Sequence, residues 1–232
     1  MSVYFVSDIH SCWEKFPKSI PKDTKKLILL GDMWNKGTQQ LEMFTWCMKN
    51  RHDERYVFVW GNAEARAWNE ICNHFFPGKI ELLVPWFGGM SYLRNKNISN
   101  VIISLVEQNV YDIKEVVDYF HNCLKWYHVE PGNNGIKWIG AHASWEINKG
   151  FHNQDKLNLV YDSHNFLAKL RKKDYIPDIP KEYKEYRWVF GHVPVYHISN
   201  QENPPIILKN RFYYIDNGIY HRSRPCFFLR IK

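Results

Sequence analysis

Three short runs of apolar residues punctuate the first third of the chain, and each ends in polar side chains. Val3 to Ser7 leads into Asp8-Ile9-His10, Leu27 to Leu30 into Gly31-Asp32, and Tyr56 to Trp60 into Gly61-Asn62. Runs this short and this uniformly apolar predict strands buried on both faces. The segments between them read as helical. Thr38 is placed to cap a helix running through Leu41, Phe44, Cys47 and Met48 at three-to-four spacing. The first 75 residues therefore predict strand and helix in alternation, an α/β class with a buried sheet. From Pro77 to Trp126 the pattern changes. Pro77-Gly78 and Phe87-Gly88-Gly89 break it, and Ile98 to Leu124 reads as helical, with Val101, Leu105, Val116, Val117 and Phe120 as its apolar stripe. The expectation is a single domain over residues 1–232 with a helical insertion at about 77–125. Strands resume at Trp126 to Val129 and Ile136 to Ile139, around the turn Pro131-Gly132-Asn133-Asn134-Gly135. Phe166 to Leu170 reads as helix. Further strands are predicted at Trp188 to Phe190, ending in Gly191-His192, and at Ile206 to Leu208, Phe212 to Ile215 and Cys226 to Ile231.

Ligands of open α/β sheets bind beyond the C-terminal ends of the strands. Asp8, His10, Asp32, Asn62, His142 and His192 all stand at such ends. Carboxylates mixed with imidazoles suit manganese, iron or zinc better than magnesium alone. Asp32 could bridge two ions, and two-metal sites, with ions about 3.5–4 Å apart, serve phosphoryl chemistry.

Composition narrows the classes. The 232 residues include 31 Lys and Arg against 24 Asp and Glu, a net charge of +7, and 45% are apolar, enough for a packed core. No uncharged apolar run has the ~18 residues of a membrane span, and no secretory leader is recognisable at the N-terminus. The five cysteines are scattered, without a CxxC pair, which points to a reducing cytoplasm and away from a disulfide framework. The basic clusters Lys22 to Lys26, Arg171 to Lys173 and Arg222 to Arg224 fall in no nucleic-acid motif. Their charge fits an attraction for phosphorylated substrates better than nucleic-acid recognition. Oligomeric state is not legible.

Taken together, Asp8-Ile9-His10, Gly31-Asp32-Met33-Trp34-Asn35-Lys36-Gly37, Gly61-Asn62-Ala63-Glu64, Ala141-His142-Ala143 and Gly191-His192-Val193-Pro194 resemble the motifs of the calcineurin-like metallophosphoesterases. The resemblance is to the phosphoprotein-phosphatase branch, which holds the bacteriophage lambda protein phosphatase and the bacterial diadenosine-tetraphosphatases. Ile215-Asp216-Asn217-Gly218 looks like that branch's closing motif. The likeness implies a two-sheet β-sandwich flanked by helices. It implies two divalent ions, manganese first and iron, zinc or nickel as alternatives. One would be held by Asp8, His10 and Asp32, the other by Asp32, Asn62, His142 and His192. A water bridging the ions would be the nucleophile, and Lys36, Asn62 and His142 would meet the substrate phosphate. Pro194 stands where some branches carry a further His, which leaves His197 a weaker candidate.

The pattern breaks at three places. Ala63 stands where the family has the His that protonates the leaving group, so the general-acid position is vacant. Asn35 replaces the Asp that supports that His, and Lys36 replaces an Arg, keeping the charge but losing the bidentate fork. A second phosphate-gripping Arg would fall near Ser163. Three altered positions together fit natural divergence better than one engineered change. The expected protein is a phosphoesterase acting on a protein Ser/Thr phosphomonoester or a nucleotide phosphoanhydride, with a preference for good leaving groups. The alternative is a weak or inactive metal-binding relative that sequesters such a ligand. Trp34, Trp68 and the run Trp86-Phe87-Gly88-Gly89 could line the substrate groove, or simply pack.

Overall fold

The computed structural model describes residues 2–82, 97–161, 164–175, 177–199, 203–222 and 224–231. Ten strands form two mixed five-stranded sheets among these residues. The first contains β1 (Ser2–Val6), β2 (Thr24–Leu29), β3 (Tyr56–Val59), β4 (Leu124–Lys125) and β10 (Leu229–Ile231), in the order β10-β1-β2-β3-β4. The second contains β5 (His128–Pro131), β6 (Lys137–Ala141), β7 (Tyr186–Phe190), β8 (Ile206–Leu208) and β9 (Phe212–Tyr214), in the order β5-β6-β7-β9-β8. β1, β2, β3 and β4 run parallel, as do β6, β7 and β9. The edges β10, β5 and β8 are antiparallel.

Alternation along each strand builds two apolar layers. Phe5, Ile28, Leu30 and Val59 meet Trp138, Val189 and Ile215 between the sheets. Their neighbours Tyr4, Val6, Leu27, Leu29 and Phe58 join the larger cluster with helices α1 (Gln40–Asn50), α2 (Asn62–Phe75) and α3 (Asn97–Glu107). Strands covered on both sides are why the sequence runs read as uniformly apolar. This is the two-sheet α/β sandwich expected from the resemblance.

Several elements differ from the sequence reading. No α-helix joins β1 to β2: Pro17 and Pro21 restrict that segment, which holds one 3₁₀ turn, Pro17–Ser19. Thr38 does not cap α1, which starts two residues later at Gln40 with no side-chain cap. Gln39 instead accepts a hydrogen bond from the Glu14 N–H at 3.0 Å. The stretch from Ile98 to Leu124 is not one helix. It breaks at Asn109, whose φ is 57°, and restarts at α4 (Ile113–Asp118), capped by Asp112. A π turn, Tyr119–Cys123, follows, and Leu124 already belongs to β4. Trp126 and Tyr127 lie between β4 and β5, where the chain passes from one sheet to the other. Among the described residues, four further short helices are α5 (Lys156–Val160), α6 (His164–Arg171), α7 (Val195–Ile198) and α8 (Ile219–Arg222).

Candidate metal centre

Parallel pairing continues past the strand ends and places the site. Beyond β1 and β2 the Asp8 N–H donates to the Gly31 carbonyl, His10 to Asp32 and Ser11 to Met33, at 2.8–3.1 Å. The second sheet repeats the device, with the Gly191 N–H donating to the His142 carbonyl at 2.9 Å. The turns are tight. A Cβ on Gly31, at φ 76°, would lie 2.5 Å from the backbone of Gly61, so the loops after β2 and β3 meet backbone to backbone. Asp8, His10, Asp32 and His192 themselves have φ between 49° and 66°, as do Ser11 and Lys36, and Asn35 reaches 75°.

Six side chains converge there. The His142 Nδ1–H donates to the Leu30 carbonyl at 2.7 Å, which turns the Nε2 lone pair inward. That Nε2 lies 2.9 Å from Asn62 Oδ1 and 3.1 Å from His192 Nδ1, and these two are 2.9 Å apart. Asp32 Oδ1 is 3.5 Å from His142 Nε2. His10 donates from Nδ1 to the Trp34 carbonyl at 3.2 Å and presents Nε2 to Asp8 Oδ1 and Asp32 Oδ2, each at 3.8 Å. Asp32 thus faces both groups. Donor atoms about 3 Å apart form the edges of an octahedron with metal bonds of about 2.1 Å. The residues fit two divalent cations.

The charges agree. Asp8, Asp32, Glu64 and Asp216 are all buried. Burial, then the charge of Asp32, raises Asp8 well above the usual carboxylate range; burial, then Asp8, does the same to Asp216. Burial would also raise Asp32, but His142, His10 and Lys36 outweigh it and bring it to about 2. Lys36 Nζ lies 3.1 Å from His10 Nε2. So concentrated a set of carboxyls, with Lys36 as the cation against it, is stabilised by divalent charge. Asn35 is buried, and its Oδ1 has no hydrogen-bond partner among the described residues.

Ala63 is 1% exposed, one residue past Asn62 in the first turn of α2, and its N–H donates to Asp32 Oδ1 at 2.8 Å. Its methyl group offers no proton. His197 is exposed on α7, packed on Tyr196. Trp34 and Trp68 are fully buried, so they pack rather than stack on a ligand. Ser163 and the run from Trp86 to Gly89 lie outside the described residues. Sequence reasoning missed the role of Glu64, which accepts from the N–H groups of Asp32, Met33 and Gly61 at 2.8–3.0 Å. Burial, then the charge of Asp32, raises the Tyr161 hydroxyl, while Arg66 opposes the shift. Arg66 stands one helical turn past Asn62, a spacing that could have drawn attention to it.

A sequence profile of calcineurin-like phosphoesterases matches residues 1–219. The chain belongs to the calcineurin-like phosphoesterase family. It is accordingly a metal-dependent phosphoesterase, a hydrolase. Among calcineurin-like relatives, the symmetrical bis(5'-nucleosyl)-tetraphosphatase of Buchnera aphidicola subsp. Schizaphis graminum (strain Sg) is 24% identical over 190 residues, 74% of this chain and 67% of the relative. Its counterpart from Buchnera aphidicola subsp. Acyrthosiphon pisum (strain Tuc7) is 28% identical over 120 residues, 45% of this chain and 43% of the relative. The fold is shared with a crystal structure of a cold-active protein-tyrosine phosphatase from a psychrophilic Shewanella species. That match has a TM-score of 0.57 and 12% identity, and covers 99% of this chain and 74% of the other. No described helix is long and apolar enough to cross a membrane.

Proposed function

We propose that this phosphoesterase, acting as one domain, cleaves a nucleotide phosphoanhydride of the dinucleoside-polyphosphate type. Asp8, His10 and Asp32 would hold one divalent ion, and Asp32, Asn62, His142 and His192 the second. Ala63 carries the choice of substrate. At the head of α2 the chain presents a buried methyl group where a proton donor would serve an alkoxide, and a phosphate leaving group departs without one. The names of the two tetraphosphatase relatives support the same substrate class.

Bound divalent ions supply Lewis-acid polarisation of phosphate and an activated water; manganese is the expected metal, with iron, zinc and nickel compatible with the donors. The chain's own residues do the rest. Leu30 and Trp34 carbonyls fix the tautomers of His142 and His10. Asp32 is kept ionised by its neighbours. Lys36 offers its ammonium to the phosphate.

The test is a manganese-supplemented assay of diadenosine tetraphosphate, p-nitrophenyl phosphate and a simple alkyl phosphate, on this chain and on Ala63→His. The anhydride and aryl ester should turn over and the alkyl ester lag. Ala63→His should raise the alkyl rate by about 10²-fold or more. Equal rates on alkyl and aryl esters would overturn the reading. No turnover on any of them, with ions bound, would make the chain a binding protein for phosphorylated ligands.

A further inference from the structure

A second group of metal-ligand side chains sits in the helical layer, and it shares no residue with the centre described above. His52 follows the C-terminal end of α1, Asp118 ends α4, and Cys123 ends the π turn. His52 Nε2 lies 3.3 Å from Asp118 Oδ2. Cys123 Sγ lies 3.8 Å from the same oxygen and 3.9 Å from His52 Nδ1. One ligand atom from each falls within 4.8 Å of the other two. We propose that His52, Asp118 and Cys123 form a peripheral site for a borderline-soft divalent ion of the zinc class, completed by water.

The π turn makes this possible. In an α-helix, residues five apart are rotated by about 140° from one another, at 3.6 residues per turn. The wider π turn brings residues 118 and 123 onto one face, and such turns recur at functional sites. Asn122 Nδ2 donates to Asp118 Oδ1 at 2.8 Å, which leaves Oδ2 for the ion and fixes its aim. Tetrahedral zinc, with bonds of about 2.0–2.2 Å to N or O and 2.3 Å to S, sets its ligand atoms roughly 3.3–3.8 Å apart. The His–Asp and Cys–Asp contacts match that spacing. A sulfur and a nitrogen donor exclude calcium and magnesium as preferred occupants. Charge also closes, since a thiolate and a carboxylate balance a dication. Of the nearby cations, Arg51 is held by Glu115 at 2.8 Å and Lys125 by the Asn122 carbonyl at 3.0 Å. The same three residues could be read as a nucleophilic triad. Burial, then Asp118, pushes the Cys123 thiol up to about 11, which is the opposite of an activated cysteine. An incoming ion displaces the thiol proton to water.

The test is titration of the full chain with Co²⁺ under a phosphine reductant. A thiolate–cobalt bond gives a near-ultraviolet charge-transfer band, and no donor proposed for the catalytic centre is sulfur. The expected result is a saturable band of one equivalent, displaced by Zn²⁺ and lost in Cys123→Ser. In His52→Ala and in Asp118→Asn the Co²⁺ affinity should fall by about 10-fold or more, with phosphoesterase activity unchanged. His52 is exposed, so its variant keeps the test free of folding effects. No band in the unaltered chain, a band that survives Cys123→Ser, or unchanged affinity in His52→Ala would each overturn the proposal.

Discussion

Glu64 gives both carboxylate oxygens to backbone, accepting from three N–H groups that span the loop after β2 and the start of α2. Gln at this position keeps one acceptor and turns an amide N–H₂ towards backbone donors. Glu64→Gln should therefore lose about 1–3 kcal/mol, the cost of stranding a buried donor, seen as a lower denaturant midpoint. Lys36 is open to an experiment with two opposite signs. Lys36→Met removes an ammonium that lies against His10 and feels Asp8 and Asp32. Inhibition by inorganic phosphate should weaken about tenfold, the scale of a charged hydrogen bond of roughly 1.5 kcal/mol, while Mn²⁺ should bind more tightly. The raised Asp8 gives a third expectation. Burial and the charge of Asp32 make Asp8 a weaker acid than a free carboxyl. A dication favours its ionised form, so metal binding releases protons and metal affinity rises with pH. Calorimetric Mn²⁺ titrations in two buffers of different ionisation enthalpy should show the proton release. At this scale the side chains that converge at the rim were legible because each polar residue directly follows an apolar run. Glu64 was not, because its partners are backbone groups that no side-chain pattern marks.

Elements were legible where burial on both faces left an unmixed apolar run, as in β1, β2, β3 and β7. They were illegible where local turns override periodicity. The apolar stripe from Val101 to Phe120 continues through the break at Asn109, because both α3 and α4 pack on the same core. The π turn is invisible for the same reason, and with it the meeting of Asp118 and Cys123. Packing between the sheets makes a sharper claim. A Cβ on Gly140 of β6 would lie 2.6 Å from Leu30 Cδ2 and 2.7 Å from Phe5 Cε1. Gly140→Ala should cost about 1–3 kcal/mol by overpacking, read in thermal unfolding. Gly140 precedes Ala141-His142, so the same strain should lower activity in the protein that remains folded.

At the scale of the molecule, a net charge of +7 attracts polyanions. The kcat/KM for diadenosine tetraphosphate should fall more steeply with added salt than that for p-nitrophenyl phosphate, because screening tightens from about 10 Å at 0.1 M to about 3 Å at 1 M. Two sheets meeting at one rim also concentrate unfavourable backbone there. Asp8, His10, Ser11, Asp32, Asn35, Lys36 and His192 all hold positive φ, a region that costs a non-glycine residue of order 1–3 kcal/mol. Selection for heat tolerance alone would then act first on these positions. Glycine at Ser11 or Lys36 relaxes the turn, and survivors of such a screen should be enriched in glycine there. The rim is where heritable gains in robustness and retained catalysis pull in opposite directions.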